Sequence, residues 1–212
     1  MLRKLAFPIR YLDLCKEFYR SREALSRINR TMLSWIIGRW GHVLVFTPAL
    51  FLHRMPEWAA LCVGKGAPYH NVCCFIDGTL FKTTRPNPKK AIARGRFGAG
   101  VTADALQRAA YNGHKRHHGI KYHAVVAPNG LSWVHGPCDG RRHDLFLFND
   151  AGMWAKLAQL VYNGQSYLCY GDSAYPAGLN IMGPFPRFEA PPGSAKAWVN
   201  SMMSKVRTTT TE

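Results

Sequence analysis

Helical periodicity dominates the first forty residues. Apolar side chains recur at helical spacing in two runs, which are Tyr11, Leu12, Leu14, Cys15 and Phe18, then Leu25, Ile28, Met32, Trp35 and Ile36. Between the runs, Ser21 has the character of an N-cap, and Glu23 falls in the first turn that follows it. The pattern predicts two helices joined by a short turn. Such a pair fits a helix-turn-helix as well as a helical hairpin that merely packs on a larger domain.

Strand patterns follow the helical part. Val72–Ile76 is a continuous apolar run, Gly119–Ala127 is rich in β-forming residues, and Leu131–Val134 follows across the turn Pro128-Asn129-Gly130. These segments predict a meander of three strands. A fourth strand is predicted at Tyr167–Tyr170.

The segment between the third and fourth strands predicts one or two helices. Its apolar positions are Leu145, Phe148, Met153, Leu157, Leu160 and Val161. Three strands, a helical segment and a further strand follow the order of the ribonuclease-H-like fold, in which helices flank a mixed α/β sheet. We therefore predict that fold over residues 71–212, a linker over 41–70 with a short helix around Glu57 to Cys62, and a small helical segment over 1–40. An inserted flexible basic loop is predicted at Arg85 to Leu106.

The net positive charge of the chain indicates an anionic binding partner. The chain carries 28 Lys and Arg against 12 Asp and Glu, a formal net charge of +16. Such a field attracts anions, and nucleic acids are the largest anions in a cell. Membrane surfaces compete as anionic partners, but the basic residues are spread along the chain and do not form one amphipathic helix.

The sequence predicts neither secretion nor a membrane span. Pro8 interrupts the N-terminus before an apolar targeting stretch can form. The most hydrophobic region, Met32 to Leu52, is broken by Gly38, Arg39 and Pro48, so it falls short of a bilayer-spanning segment. Cysteines occur at 15, 62, 73, 74, 138 and 169 without a Cys-x-x-Cys pair, which favours a reducing compartment over a disulfide framework or a structural zinc site.

Two aspartates stand at the ends of predicted strands. Asp77 follows the first strand, and Asp172 follows the fourth after a glycine. Carboxylates that converge at one edge of a sheet can hold Mg²⁺ or Mn²⁺ ions roughly 3.5–4 Å apart for phosphodiester cleavage. Each aspartate alone is equally typical of a turn. Because they occur together in this strand order, we take both as candidate catalytic and metal-binding residues.

A third aspartate begins the predicted helical segment. Asp144 comes directly after Arg141, Arg142 and His143. It fits a metal ligand and a helix N-terminal acid equally well, and we include it among the candidate metal ligands. Arg141 and Arg142 suit bidentate contacts with phosphate, which makes them candidate nucleic-acid ligands.

Basic and aromatic side chains are concentrated between Tyr111 and Lys121. This segment is either a phosphate-binding element or an ordinary solvated loop, and the second predicted helix offers further cations. The candidate nucleic-acid ligands of the two regions are Lys115, Arg116, Lys121, Arg22, Arg27 and Arg30. Zinc binding by the neighbouring histidines 114, 117 and 118 lacks a fourth ligand at a recognised spacing.

Five motifs in order carry a family resemblance. They are Phe75-Ile76-Asp77-Gly78-Thr79, Tyr111-Asn112-Gly113-His114-Lys115-Arg116, Gly140-Arg141-Arg142-His143-Asp144, Tyr170-Gly171-Asp172-Ser173-Ala174-Tyr175-Pro176 and Met203-Ser204-Lys205-Val206-Arg207. From about Pro8 to Arg207 the chain resembles the nuclease domain of Harbinger-type transposases, DDE superfamily endonucleases related to a group of bacterial insertion-sequence transposases. The resemblance implies a ribonuclease-H-like core, divalent metal ions, and cleavage and joining of DNA strands. It also implies that Asp77, Asp144 and Asp172 are metal-site acids, and it favours a helix-turn-helix over residues 12–36.

The resemblance breaks at the C-terminus. In the family, the Ser-Lys-Val-Arg motif opens a helix whose Glu, four residues after the Arg, is the third catalytic acid. Thr211 occupies that position here, and Glu212 follows it, about 100° further around a helix. Thr208 to Thr211 is also a poor helix former, so we expect an incomplete helix and a truncated or decayed copy, or an incomplete gene model. Glu212 is the remaining candidate for the third catalytic acid.

Two functions follow from these residues. The first is a Mg²⁺- or Mn²⁺-dependent DNA endonuclease or transposase. The alternative is a catalytically inert DNA-binding protein derived from a transposase. An RNA-directed nuclease of the same fold differs only in substrate, and the sequence has no base-reading signature that separates the two. DNA is the expected partner, a second copy of the chain or an accessory DNA-binding protein is a further candidate, and a nuclear location is expected in a eukaryotic cell.

Overall fold

The computed structural model describes residues 1–6, 9–87, 102–175 and 177–211. Two compact units divide the chain, Met1–Val45 and Phe46–Glu212. Within the described residues, no helix has the length and apolar character needed to cross a bilayer.

The N-terminal unit is helical. Its helices are α1 (Leu2–Ala6), α2 (Tyr11–Phe18) and α3 (Arg22–Trp40), followed by a 3-10 turn over Gly41–Leu44. Ser21 caps α3 by accepting a hydrogen bond from the backbone N–H of Ala24, at 3.2 Å. The two long helices and the N-cap are therefore confirmed.

The larger unit begins with 3-10 turns over Pro48–Leu50 and Leu52–Arg54, then α4 (Met55–Gly64). Phe51 stacks on Trp133 with ring centroids 4.5 Å apart, and Trp58 lies beside both rings. These aromatic side chains are buried in the main hydrophobic core. The segment before the sheet is thus a part of the core of the unit.

The sheet has the strand order of a ribonuclease-H-like fold. Its strands are β1 (Val72–Lys82), β2 (Tyr111–Asn112), β3 (His117–Val126), β4 (Ser132–Asp139), β7 (Leu168–Tyr170) and β8 (Ile181–Met182), and β5 (Val161–Tyr162) pairs with β6 (Gln165–Ser166) in a separate hairpin. Strand β1 lies between β3, which is antiparallel to it, and β7, which is parallel. Strands β2 and β4 pair with β3, and β8 pairs in parallel with β7. The predicted mixed sheet and its flanking helices are confirmed.

Helices cover the sheet and explain the apolar run of β1. They are α5 (Ala103–Ala110), α6 (Asp144–Asp150), α7 (Met153–Leu157) and α8 (Ala195–Thr211), in addition to α4. Ile76 belongs to the core cluster that contains Phe148 of α6, whereas Phe75 belongs to the cluster that contains Met203 of α8. Strands buried on both faces carry continuous rather than alternating apolar residues.

Two predictions about local structure are wrong. The predicted basic loop lies partly outside the described residues, at 88–101, but its last part forms α5, which Thr102 caps by accepting from the N–H of Ala105 at 3.2 Å. Helix α8 extends to Thr211, although its last residues were expected not to be helical. Val206 is buried with Met203 in the core, so tertiary packing of the helix outweighs the low helix propensity of the threonines that follow.

Candidate functional site

Three aspartates from separate elements line one cavity. Asp77 comes from β1, Asp144 from the start of α6, and Asp172 from the loop after β7. The cavity has a volume of about 480 Å³. Its other lining residues are Gly78, Asn112, Gly113, His114, Lys115, Lys121, Arg141, Arg142, His143 and Ala174. We call this the acid cavity.

Asp77 lies inside β1 and not at its end, which corrects the predicted strand boundary. The parallel partner β7 stops opposite Phe75, where Tyr170 is paired, but the antiparallel partner β3 continues and pairs Asp77 with Ala124. Residues 72–76 are all buried, whereas Asp77 is exposed. The aspartate is thus placed where one neighbouring strand ends and the sheet opens to solvent.

Asp172 occupies the matching position after β7. Its Oδ1 accepts a hydrogen bond from the backbone N–H of Ala174 at 2.9 Å, which fixes the carboxylate in the loop. At Gly171, a Cβ would come within 2.7 Å of the Tyr175 ring and 2.9 Å of Ile76. The glycine therefore lets the loop pack against the sheet directly before the aspartate.

Asp144 is held against β1 by its neighbours. Its Oδ1 lies 2.9 Å from Nζ of Lys121, a side chain of β3 with 8% exposure. This contact is an ion pair without hydrogen-bond geometry, since the buried oxygen has no hydrogen-bond partner among the described residues. A Cβ at Gly78 would collide with the Asp144 carboxylate. Glycine at 78 is consequently required for the Asp144 carboxylate to lie against β1.

The electrostatic environment of Asp77 shows that the acids interact. Partial burial raises the pKa of Asp77, although its side chain reaches solvent in the cavity. The Arg207 guanidinium and the Gly78 N–H oppose that shift, and the charges of Asp172 and Asp144 add to it. Like charges raise the pKa of a carboxyl only at short range, so Asp172 and Asp144 both lie near Asp77.

Two buried side chains near the acids, His123 and Tyr175, are neutral at physiological pH, and we call this pair the neutral floor. His123 pairs with Gly78 across the sheet and is 1% exposed, and burial lowers its pKa to about 4. Its ring lies 5.5 Å from that of Tyr175, whose hydroxyl pKa is raised by burial and then by the nearby acids. Neither His123 Nε2 nor the Tyr175 hydroxyl has a hydrogen-bond partner within the described residues.

Sequence reasoning missed the roles of Lys121 and His123 inside the sheet. The sequence predicts Lys121 as a phosphate ligand on a basic segment; in β3 it alternates inward with His123 and Val125, and it lines the acid cavity. The sequence signal was the alternation of side chains along the strand, which places Lys121 on the same face as Val125. A lysine on the buried face of a strand requires a buried partner.

A buried asparagine holds the basic rim of the cavity. Asn112 Nδ2 donates to the Gly140 carbonyl at 2.7 Å, and its Oδ1 accepts from the backbone N–H of Lys115 at 2.8 Å. One side chain thus links the loop that carries Lys115 to the loop that carries Arg141 and Arg142. The Arg142 guanidinium lies over the Phe146 ring at 4.4 Å.

The remaining predicted ligands are not at this cavity. Arg116 is not among its lining residues, although it follows Lys115. Arg22, Arg27 and Arg30 line a separate shallow groove within the N-terminal unit. Glu212, the candidate third acid, lies outside the described residues.

The donor set of the cavity suits a hard divalent cation in part. Carboxylate oxygens are the ligands that Mg²⁺ and Mn²⁺ prefer, and Asp77 and Asp172 line the cavity with theirs, whereas the buried Oδ1 of Asp144 is paired with Lys121. Among the described residues, however, no group of three His, Cys, Asp or Glu side chains is close enough to hold a metal ion.

Comparison with known proteins identifies the family to which the chain belongs. Residues 76–211 match the profile of the family described as DDE superfamily endonuclease. No curated protein and no solved structure matches the chain at a significant level. The matched segment spans the strands and helices that bring the three aspartates together. The chain belongs to the DDE superfamily endonucleases.

Proposed function

We propose that the chain is a Harbinger-type endonuclease or transposase that cleaves and joins DNA strands at the acid cavity. The observation that supports it most is the convergence of Asp77, Asp144 and Asp172 from three separate elements, beneath a basic rim. Asp77 and Asp172 are the proposed principal ligands of Mg²⁺ or Mn²⁺, with Asp144 as an auxiliary acid. An ion held by Asp77 and Asp172 would supply Lewis-acid activation of the attacking oxygen and charge stabilisation of the leaving oxygen.

The side chains around the acids have distinct proposed roles. Lys115, Arg141 and Arg142 bind the phosphates that flank the scissile bond, and Asn112 fixes their two loops relative to each other. Because the substrate is DNA, the nucleus is the proposed location in a eukaryotic cell.

The third acid decides between an active and an inert protein. Arg207 of α8 is close enough to lower the pKa of Asp77, and position 211 falls on the same helix face because it is four residues further along. A Glu at 211 would thus lie on the same side of the helix as Arg207. Thr211 stands there, which favours the inert DNA-binding alternative unless Glu212 serves.

Cleavage of a plasmid that carries candidate terminal repeats tests the proposal. With Mn²⁺, we expect nicking by the wild-type chain and a loss of at least about 100-fold in Asp77→Asn and Asp172→Asn, because a ligand of the ion is removed. DNA binding, measured by fluorescence anisotropy, should persist in both variants. Asp150→Asn is the matched control, since that exposed aspartate pairs with His135 outside the cavity.

Each outcome has a separate meaning. Nicking that survives both cavity substitutions contradicts the assigned ligands. DNA binding without nicking supports the inert alternative, and in that case Thr211→Glu should introduce nicking whereas Thr210→Glu, on another helix face, should not.

A further inference from the structure

Lys121 is a buried cation in the wall of the acid cavity. Its residue exposure is 7%, and its ammonium lies 2.9 Å from Asp144 Oδ1. The same ammonium donates a hydrogen bond of 2.9 Å to the Arg142 carbonyl. A charge removed from water in this way is stable only with a compensating partner, and Asp144 is that partner.

The other basic groups near Asp144 are placed differently from Lys121. His123 is neutral at physiological pH because burial lowers its pKa to about 4. The Arg142 side chain lies over the Phe146 ring, and the influence of Arg207 falls on Asp77. Lys121 is the cation that contacts the buried oxygen of Asp144, at 2.9 Å.

Backbone geometry keeps this ion pair in place. The absence of a Cβ at Gly78 makes room for the Asp144 carboxylate, and the Arg142 carbonyl orients the ammonium from the loop directly before Asp144. An ammonium in contact with a carboxylate repels a metal ion that approaches the same oxygen. The space beside Asp144 is thus already occupied by positive charge.

We propose that Lys121 takes the place of a second divalent cation, so that the acid cavity binds one metal ion, held by Asp77 and Asp172. This inference rests on the proposed metal-dependent function of the cavity. Lys121 acts through Asp144 and is a positioning residue, which neutralises that acid and holds it beside the single ion.

Manganese titration of the full chain without DNA tests the inference. We expect isothermal titration calorimetry to show one Mn²⁺ per wild-type chain, a measurement that depends on no variant. In Lys121→Met the unpaired Asp144 should add a second ion or tighten binding at least tenfold. The double variant Lys121→Met with Asp144→Asn should return to one ion, and Lys121→Arg should keep it.

Lys82→Met is the matched control, because it removes the same charge from an exposed position of β1. It should leave the stoichiometry and the affinity unchanged, and thermal unfolding checks that each variant is folded. Two ions in the wild-type chain, or an unchanged titration in folded Lys121→Met, would overturn the role of Lys121 but not the proposed function. Absence of Mn²⁺ binding in both wild type and Lys121→Met overturns the metal-dependent function and this inference together.

Discussion

The acid cavity and the N-terminal helix pair both carry charged residues, but only the cavity fixes them with buried partners. Asp144 pairs with Lys121, and Asn112 joins two loops of the rim. In the helix pair, Arg27 and Arg30 are exposed on α3, a helix without a fully buried residue. Charges held by buried contacts have defined positions, whereas exposed charges supply attraction that depends on salt.

Fixed and exposed charges suit different functions, since a reaction requires fixed positions and electrostatic binding does not. Catalysis requires groups held at fixed distances, since a displacement of about 1 Å can cost 100-fold in rate. Binding to a polyanion requires only cations near its phosphates. The larger unit therefore has the architecture for a reaction, and the groove of the N-terminal unit has at most the architecture for electrostatic binding.

Substitution of Gly78 should break the geometry of the cavity most severely. In Gly78→Ala the new methyl group would collide with the Asp144 carboxylate and shift the Gly78 N–H, which donates to Oδ1 of the proposed metal ligand Asp77 at 2.8 Å. We expect Mn²⁺ affinity to fall by about 10- to 100-fold and stability by about 1–3 kcal/mol. Calorimetric titration and urea unfolding measure the two effects.

Gly113→Ala is the matched control for that substitution. Gly113 lines the same cavity, but a Cβ there would meet nothing within 4 Å. If Gly78→Ala and Gly113→Ala both bind Mn²⁺ like the wild type, the backbone at Gly78 does not set the geometry of the acids. The acid cavity would then not differ from the N-terminal helix pair in how firmly it holds its charges.

The buried histidine of the floor predicts a loss of stability in acid. Since burial lowers the folded-state pKa of His123 from 6.5 to about 4, the unfolded chain binds a proton in that interval while the folded chain does not. Stability should be highest above pH 6.5 and should decrease by up to about 3 kcal/mol as pH falls to 4.

His123→Phe should flatten this dependence, because the replacement has no proton to bind and can keep the ring contacts with Phe148 and Tyr175. Urea unfolding at pH 7.5 and 4.5, on metal-free protein, measures the difference between variant and wild type. The raised pKa of Asp77 acts in the opposite direction in both proteins, so it cancels in that comparison. An unchanged slope in the variant contradicts a neutral floor.

Removal of Asn112 should loosen the rim without touching the acids. Asn112→Ala leaves the Gly140 carbonyl and the Lys115 N–H without their partner, which should cost about 1–3 kcal/mol of stability. Asn71→Ala, which removes one exposed hydrogen bond to Ser166, should cost clearly less. Equal losses in thermal unfolding would mean that the buried link does not organise the rim.

Much of the fold around the acid cavity was predictable from hydrophobic periodicity. The apolar run before Asp77 identified a strand buried on both faces, and the segment before Asp172 identified its neighbour. The continuation of β1 was missed because Asp77-Gly78 is a typical turn signal, which eight paired positions with β3 override. Pairing partners and helix anchors are long-range contacts, so local propensity carries little information about them.

The smallest effect is expected in the N-terminal groove. If α2 and α3 contact DNA, Arg27→Ala should weaken binding a few-fold and reduce the slope of log affinity against log salt by about one, since one phosphate contact is lost. Arg39→Ala, in the last turn of α3 and outside the groove, is the matched control. A reduced slope in Arg27→Ala alone favours the helix-turn-helix, because a hairpin that merely packs would leave both variants like the wild type. Anisotropy titrations at several salt concentrations therefore decide an alternative that helical periodicity left open.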